Sequence, residues 1–329
     1  MSIYSFSDIE LQAYKNIWIA IQNYDVHAEL PAIDSEKALT LYKKVLSESK
    51  SGYMYNQNQI RMRSGVWGSR IEFEMCDEFE NGRIAIDIQV IPEITEIMSM
   101  ARKEKSVYDA VKSVYAYFVK NFEYAYNLES DLRYHSAISV FMYRKSVCEG
   151  FALAFANVLN RLGIPCGIVT GYSSLDGTFG AHAWNIVEFG GEYYQLDATW
   201  DDPVGGEQKL HHNYFCITDE EMYKSRVADD YVSSPICNAN TYNYYVYNKL
   251  LFSDISDSAF EQALQFYKNN KIDQIEFKFS SAQATERAVA YAENGTALSK
   301  VLSENGYGNN LSYTYYAYDD TNVVEIGIK

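Results

Sequence analysis

Cys148, His182 and Asp197 are the residues of this chain whose types and surroundings could do chemistry together. A thiolate attacks carbonyl carbon, an imidazole takes and returns a proton, and a carboxylate holds the imidazole in one tautomer. Cys148 stands in Ser146-Val147-Cys148-Glu149, ahead of the apolar series Phe151, Phe155, Val158, Leu159 and Leu162. Ser followed three residues later by Glu is a capping-box pattern, so Ser146 is the expected N-cap and Cys148 the second helical residue. Unpaired backbone N–H groups and the positive end of the helix dipole favour an anion there. The same amides can hold an oxyanion. Taken alone, Cys148 reads more readily as packing, since free cysteine is among the most buried residue types.

His182 lies in Ala181-His182-Ala183-Trp184-Asn185 and Asp197 in Gln195-Leu196-Asp197-Ala198-Thr199. Gly190-Gly191 between these stretches predicts a two-residue hairpin turn with Phe189 facing Glu192. The register then sets His182 opposite Thr199 and Trp184 opposite Asp197. His182 and Asp197 become diagonal neighbours on one sheet face, roughly 7–8 Å apart at the backbone. A histidine here could also be a satisfied core residue. Asp197 is harder to explain that way, because a carboxylate in an apolar strand costs free energy without a partner. His135, Trp184 and Trp200 are further candidates, for the oxyanion or for the groove wall; capping or core packing would suit them too.

The elements that must position these side chains follow from periodicity. Residues 6–23, 34–48, 104–122, 136–143 and 148–162 read as helices, the last stopped by Gly163 and Pro165. Residues 52–62, 69–77 and 83–91 alternate apolar and polar as strands do, with Asn81-Gly82 as a turn. Strands are expected at 167–173, 181–189 and 192–199. Farther on come a strand-like stretch 242–252, a helix 256–269, a strand 273–279, a helix 281–304 and a hairpin of 311–318 with 323–328. This predicts an α+β chain in which a central nucleophile helix packs on an antiparallel sheet (104–240), between α+β modules at 1–103 and 241–329.

Composition narrows the function. The chain has 329 residues with 28 basic against 44 acidic side chains, a formal charge of −16. An acidic surface repels phosphate backbones, which argues against a nucleic-acid partner. No apolar run of membrane-spanning length occurs. The first twenty residues lack a basic start followed by an apolar stretch, so they are not a signal peptide, and the expected compartment is cytoplasmic unless a leader has been removed. Five cysteines without CxxC spacing suit reduced, buried thiols rather than a disulfide scaffold. Asp201, Asp202, His211 and His212 match no zinc spacing, and Asp201-Asp202-Pro203 reads as a turn. Neither a metal nor a cofactor is expected. Thr218-Asp219-Glu220-Glu221 is a further capping box. Thirty tyrosines suit half-buried strands, or less economically a binding groove.

The segments Val147-Cys148-Glu149-Gly150-Phe151-Ala152, Gly163-Ile164-Pro165, Ala181-His182-Ala183-Trp184-Asn185 and Leu196-Asp197-Ala198-Thr199-Trp200-Asp201-Asp202-Pro203 resemble the core motifs of the bacterial transglutaminase-like superfamily. The resemblance covers about residues 105–220. It implies a papain-like fold and acyl transfer through a thioester on Cys148, with His182 as base then acid and Asp197 orienting it. It also implies a peptide or protein substrate. Members of the family include transglutaminases, peptidases, deamidases and inactive relatives. Hydrolysis of peptide or glutamine-side-chain amides is the preferred expectation; protein cross-linking and a non-catalytic peptide-binding module are the alternatives. No acidic loop of EF-hand spacing points to calcium activation.

Overall fold

The structure is a computed structural model that describes residues 2–174, 178–202, 210–229, 231–272, 274–307 and 312–328, with 77–87 described as backbone alone. The chain divides into two units, Met1–Ala239 and Asn240–Lys329. Residues 1–103 and 104–240, expected as separate modules, therefore fall in one unit. The elements of the first unit are α1 (Asp8–Asn23), β1 (His27–Leu30), α2 (Ser35–Glu48), β2 (Tyr55–Gly65), β3 (Gly68–Met75), α3 (Asp77–Ala101), α4 (Val107–Asn121), β4 (Glu123–Tyr124), α5 (Ala137–Tyr143), β5 (Lys145–Ser146), α6 (Cys148–Leu162), β6 (Cys166–Ser174), β7 (Phe179–Phe189), β8 (Glu192–Leu196), β9 (Phe215–Ile217), α7 (Asp219–Met222) and β10 (Arg226–Ala228).

Helix α6 is the rod of this unit. Every residue from Cys148 to Leu159 is buried, and Gly163 ends the helix at φ 81°, a left-handed conformation that glycine adopts without steric cost. The helix packs on β6 and β7 and touches α2, α4 and α5. Ser106 caps α4, accepting from Asp109 N–H at 3.0 Å. The apolar face of α4 then meets α6 ring to ring: Phe118 stands edge-on to Phe155 with centroids 5.3 Å apart. Burying such a side chain contributes about 1.5–3 kcal/mol. Asn185 of β7 ties sheet to helix, donating to Ala152 O at 2.8 Å and Gly167 O at 3.0 Å.

The main sheet is antiparallel throughout, in the order β10-β6-β7-β8-β9. Gly190 and Gly191 have φ 69° and 79°, and Phe189 pairs with Glu192. That is the two-residue turn and register expected from the sequence. The ladder continues to Asn185 opposite Leu196 and stops, so the strand expected over 192–199 is three residues shorter. A second antiparallel sheet has the order β1-β3-β2, and β4 pairs in parallel with β5.

Residues 83–91 are not a strand but part of α3. Ile84, Ile86, Ile88 and Val90 alternate over this short window, yet the longer series Val90, Ile94, Ile97 and Ala101 is buried at helical spacing. The helix also accommodates Pro92. Asn81 and Gly82 fall inside it and make no turn.

The second unit contains α8 (Tyr244–Tyr247), β11 (Leu251–Phe252), α9 (Asp257–Asn269), β12 (Gln274–Phe279), α10 (Ala282–Asn294), α11 (Thr296–Glu304), β13 (Tyr313–Tyr318) and β14 (Val323–Ile328), with sheet order β11-β12-β14-β13. Two expectations change here. The strand-like stretch 242–252 is mostly the short helix α8, capped by Asn243 accepting from Tyr245 and Val246 N–H, and only its last two residues are strand. The helix expected over 281–304 breaks at Gly295, where φ is 66°. Leu311, Asp273 and Pro203, each placed in an expected element, lie outside the described residues. Among the described residues no helix is long and apolar enough to cross a membrane.

Candidate active site

Cys148 is the first residue of α6, not the second. The N-cap is Val147, which offers no side-chain bond to the helix. Ser146 is committed elsewhere: its hydroxyl donates to Tyr134 O at 2.6 Å and accepts from Ser139 Oγ at 2.8 Å. Glu149 is drawn away by Lys43 Nζ at 2.6 Å and His135 Nδ1 at 3.2 Å. The expected capping box is thus overturned by charge pairing and by the β4–β5 ladder that holds Ser146. The anion-favouring environment of a helix start remains, and it is stronger at the first position. Thr218 does form its capping box, with Glu221.

Tyr124 pairs with Ser146, two residues before Cys148, and burial, with the charge of Cys148 beside it, pushes its phenol up.

His182 stands on β7 opposite Gly171 of β6. Its Nε2 lies 2.7 Å from Asp197 Oδ2, which leaves Nδ1 as the ring nitrogen that the acid does not engage. His182 and Cys148 are each 8% exposed and Asp197 1%. The recess on the core side of the site, lined by Phe151, Ala152, Ala183, Trp184 and Asn185 among others, is too tightly packed to admit a water molecule.

Asp197 follows the last ladder pair, and its amide donates to Tyr214 O at 3.1 Å. Its carboxylate is saturated. Thr199 donates to Oδ1 from its N–H (3.2 Å) and hydroxyl (2.7 Å). Arg226 donates to Oδ2 from Nε (3.1 Å) and Nη2 (2.6 Å). The Arg226 side chain is wholly buried, its guanidinium 3.9 Å from the Trp200 ring centroid and 4.3 Å from that of Tyr214. Aromatic faces compensate part of the hydration such a cation gives up.

These contacts fix the charge states. Burial alone would push His182 down, but the charges of Asp197 and Cys148 outweigh it and raise the imidazole to about 9. Burial would likewise raise Asp197, but His182 and Arg226 overrule it and hold the carboxyl well below its ordinary range. The imidazole is therefore an imidazolium near neutral pH, paired with the Asp197 carboxylate. Such an arrangement can attack a carbonyl carbon with sulfur and protonate the leaving nitrogen.

Residues 97–198 match the model of the transglutaminase-like superfamily. This segment is a transglutaminase-like core. Kyphoscoliosis peptidase of Mus musculus is 26% identical over 156 residues, 42% of this chain and 23% of that protein. Its Homo sapiens counterpart is 28% identical over 103 residues, 28% of this chain and 15% of that protein. The chain thus spans less than a quarter of the curated relatives it matches. A crystal structure of a TGase is similar at 16% identity and TM-score 0.31, over 56% of this chain and 53% of that one.

The remaining sequence candidates occupy different places around the transglutaminase-like core. His135 turns away from the sulfur, with Nδ1 on Glu149 and Nε2 2.8 Å from Glu129 O. Trp184 is buried, donates to Gln195 Oε1 at 2.7 Å, and stacks 5.9 Å from the His182 ring. It backs the imidazole instead of walling a groove. Trp200, half-buried, sits 5.8 Å from His182 and carries Arg226 on its face. Asp201 accepts from Asn213 N–H (3.0 Å) and Tyr214 N–H (3.1 Å), with the Tyr115 hydroxyl at 2.6 Å. It braces the loop that carries Asp197.

Sequence reasoning missed Thr199 and Arg226. Arg226 lies beyond the matched segment, on β10 at the sheet edge. The available signal was energetic: a buried carboxylate facing one imidazole is undercompensated and asks for a cation.

Proposed function

We propose that the transglutaminase-like core performs cysteine-dependent acyl transfer on peptide or glutamine-side-chain amides through a thioester on Cys148, with water as the acceptor. The observation that carries this reading is a recess lined by both Cys148 and Asp197, whose carboxylate holds the His182 imidazole at 2.7 Å and is saturated by other donors.

Each step uses groups already described. The Cys148 thiolate attacks the carbonyl carbon, and negative charge passes to the carbonyl oxygen, which the Cys148 N–H can receive. As the C–N bond breaks, the His182 imidazolium gives its proton to the departing nitrogen, leaving a thioester and neutral imidazole. Water then attacks the thioester carbon and passes a proton to His182. The C–S bond breaks, and the thiolate and imidazolium return. Asp197 keeps Nε2–H engaged throughout, so Nδ1 does the proton traffic.

A peptide library offered with and without an added primary amine, read by mass, tests the assignment. Cleaved peptides or glutamine-to-glutamate conversion are the expected products. Amine adducts in place of them would make the chain a cross-linking enzyme, and a library left intact would favour a peptide-binding module.

A further inference from the structure

His135 is held by two acceptors at once. Its Nδ1 lies 3.2 Å from Glu149 Oε2 and its Nε2 lies 2.8 Å from Glu129 O. A carboxylate and a carbonyl oxygen can only accept, so each ring nitrogen must carry a proton. Neutral imidazole has one N–H and would satisfy one of these bonds; imidazolium satisfies both. The bond to Glu149 accordingly raises His135 above the ordinary imidazole range, against its partial burial.

Glu149 is buried and follows the nucleophile directly in the chain. It gathers a second cation, with Lys43 Nζ of α2 lying 2.6 Å from Oε1, and a neutral donor, Asn58 Nδ2 of β2, at 3.4 Å. Burial would raise this carboxyl, but Lys43 and His135 hold it down to about 2. The other charged groups of the His135 segment are engaged among themselves. Glu129 accepts from Asn127 N–H at 3.3 Å, and Arg133 Nη2 donates to Asp131 at 2.6 Å. Two cations against one carboxylate leave one net positive charge beside Cys148. The backbone is built to bring it there. Tyr134 O accepts from the Ser146 hydroxyl at 2.6 Å and from Val147 N–H at 2.9 Å. A Cβ on Gly150 would stand 2.7 Å from Ser136 O, so glycine alone lets this segment lie against the first turn of α6.

Resting on the acyl-transfer reading above, we propose that His135 is a positioning residue: its imidazolium, shared between Glu129 O and Glu149, clasps the segment 129–136 to the start of α6 and supplies the surplus positive charge that favours the Cys148 thiolate. Without that charge Lys43 and Glu149 cancel, and the helix start alone favours the anion. Deprotonation has the same effect, because a ring with one N–H must give up one of its two bonds. Clasp and charge are present below the titration of His135 and are lost together as pH rises through it.

His135→Gln keeps a hydrogen-bonding side chain without the charge, and His135→Arg keeps both charge and donors. The test follows the rate of Cys148 alkylation by iodoacetamide against pH, with peptide cleavage and thermal melting alongside. In His135→Gln the pH at which alkylation reaches half its plateau should rise by about one pH unit, a roughly tenfold loss of reactive thiolate on the acid side. The acid limb of kcat/KM should move with it, and His135→Arg should keep the wild-type midpoint. Looser packing alone would lower melting and change the plateau but leave the midpoint in place. An unmoved midpoint in His135→Gln overturns the charge role, as does a His135→Arg protein shifted as far as His135→Gln. A wild type that converts no peptide, with or without an amine, instead sinks the acyl-transfer reading, while the alkylation midpoint still decides the role of His135.

Discussion

The two nitrogens of the His182 ring face regions built on opposite plans. Toward Nε2 lies Asp197, whose carboxylate also receives Thr199 and Arg226, all within a sheet and loop that Tyr115 and Asp201 brace. On the other side stands Cys148, at a helix start with no side-chain cap. The first region is over-determined; the second is left with partners it can exchange. A general base needs one tautomer and one orientation, which a saturated acid provides. A nucleophile must change its bonding during turnover, and fixed partners would have to be broken each time.

Breaking each side separately should have different consequences. Cys148→Ala should lower turnover by roughly 10⁴-fold or more while melting changes little, as measured by peptide cleavage and calorimetry. A large loss of stability would mean that the sulfur is as deeply built in as the acid. Asp197→Ala should do both kinds of damage: turnover falls by about 10³-fold or more, and stability by about 3–5 kcal/mol, because Arg226 is left buried without its anion. A fully active Asp197→Ala protein contradicts the orienting role. Arg226→Met should sharpen the contrast, costing a similar about 3–5 kcal/mol in urea unfolding but less turnover, since His182 keeps its carboxylate.

The mildest perturbation is pH. The folded His182 titrates near 9, above its ordinary value of about 6.5. Its contribution to stability is full below about pH 6.5 and is lost as pH rises through about 9. Melting temperature followed from pH 6 to 10 should fall across that window in the wild type and fall less in an Asp197→Ala protein. Equal slopes would mean that the imidazole does not feel the acid.

What the sequence made legible follows the same division. His182 and Asp197 could be brought to one sheet face from alternation and the Gly190-Gly191 turn alone, because a two-residue hairpin leaves no freedom of register. The ladder's end at Leu196 could not be seen, since it depends on Tyr214 taking the Asp197 amide. Arg226 was invisible to local reasoning: β10 is three residues long and reaches β6 from the sheet edge. The capping box at Ser146 failed because Lys43 and His135, distant in sequence, outbid a local hydrogen bond with charge. The strand misassigned at 83–91 failed because isoleucines every second residue fit a short strand as well as a long helix, and only the burial of Val90, Ile94 and Ile97 distinguishes them.

The glycine pair at the hairpin tip acts as a ruler. It lies eight residues from His182, roughly 26 Å along the strand, yet it decides which way the imidazole points relative to the acid. One amino acid inserted there, in a solvent-facing position where lengthening is ordinarily harmless, would slip β8 by one place and turn Asp197 to the far side of the sheet. In a scan of single insertions along the chain, this remote tip should behave like the catalytic centre itself.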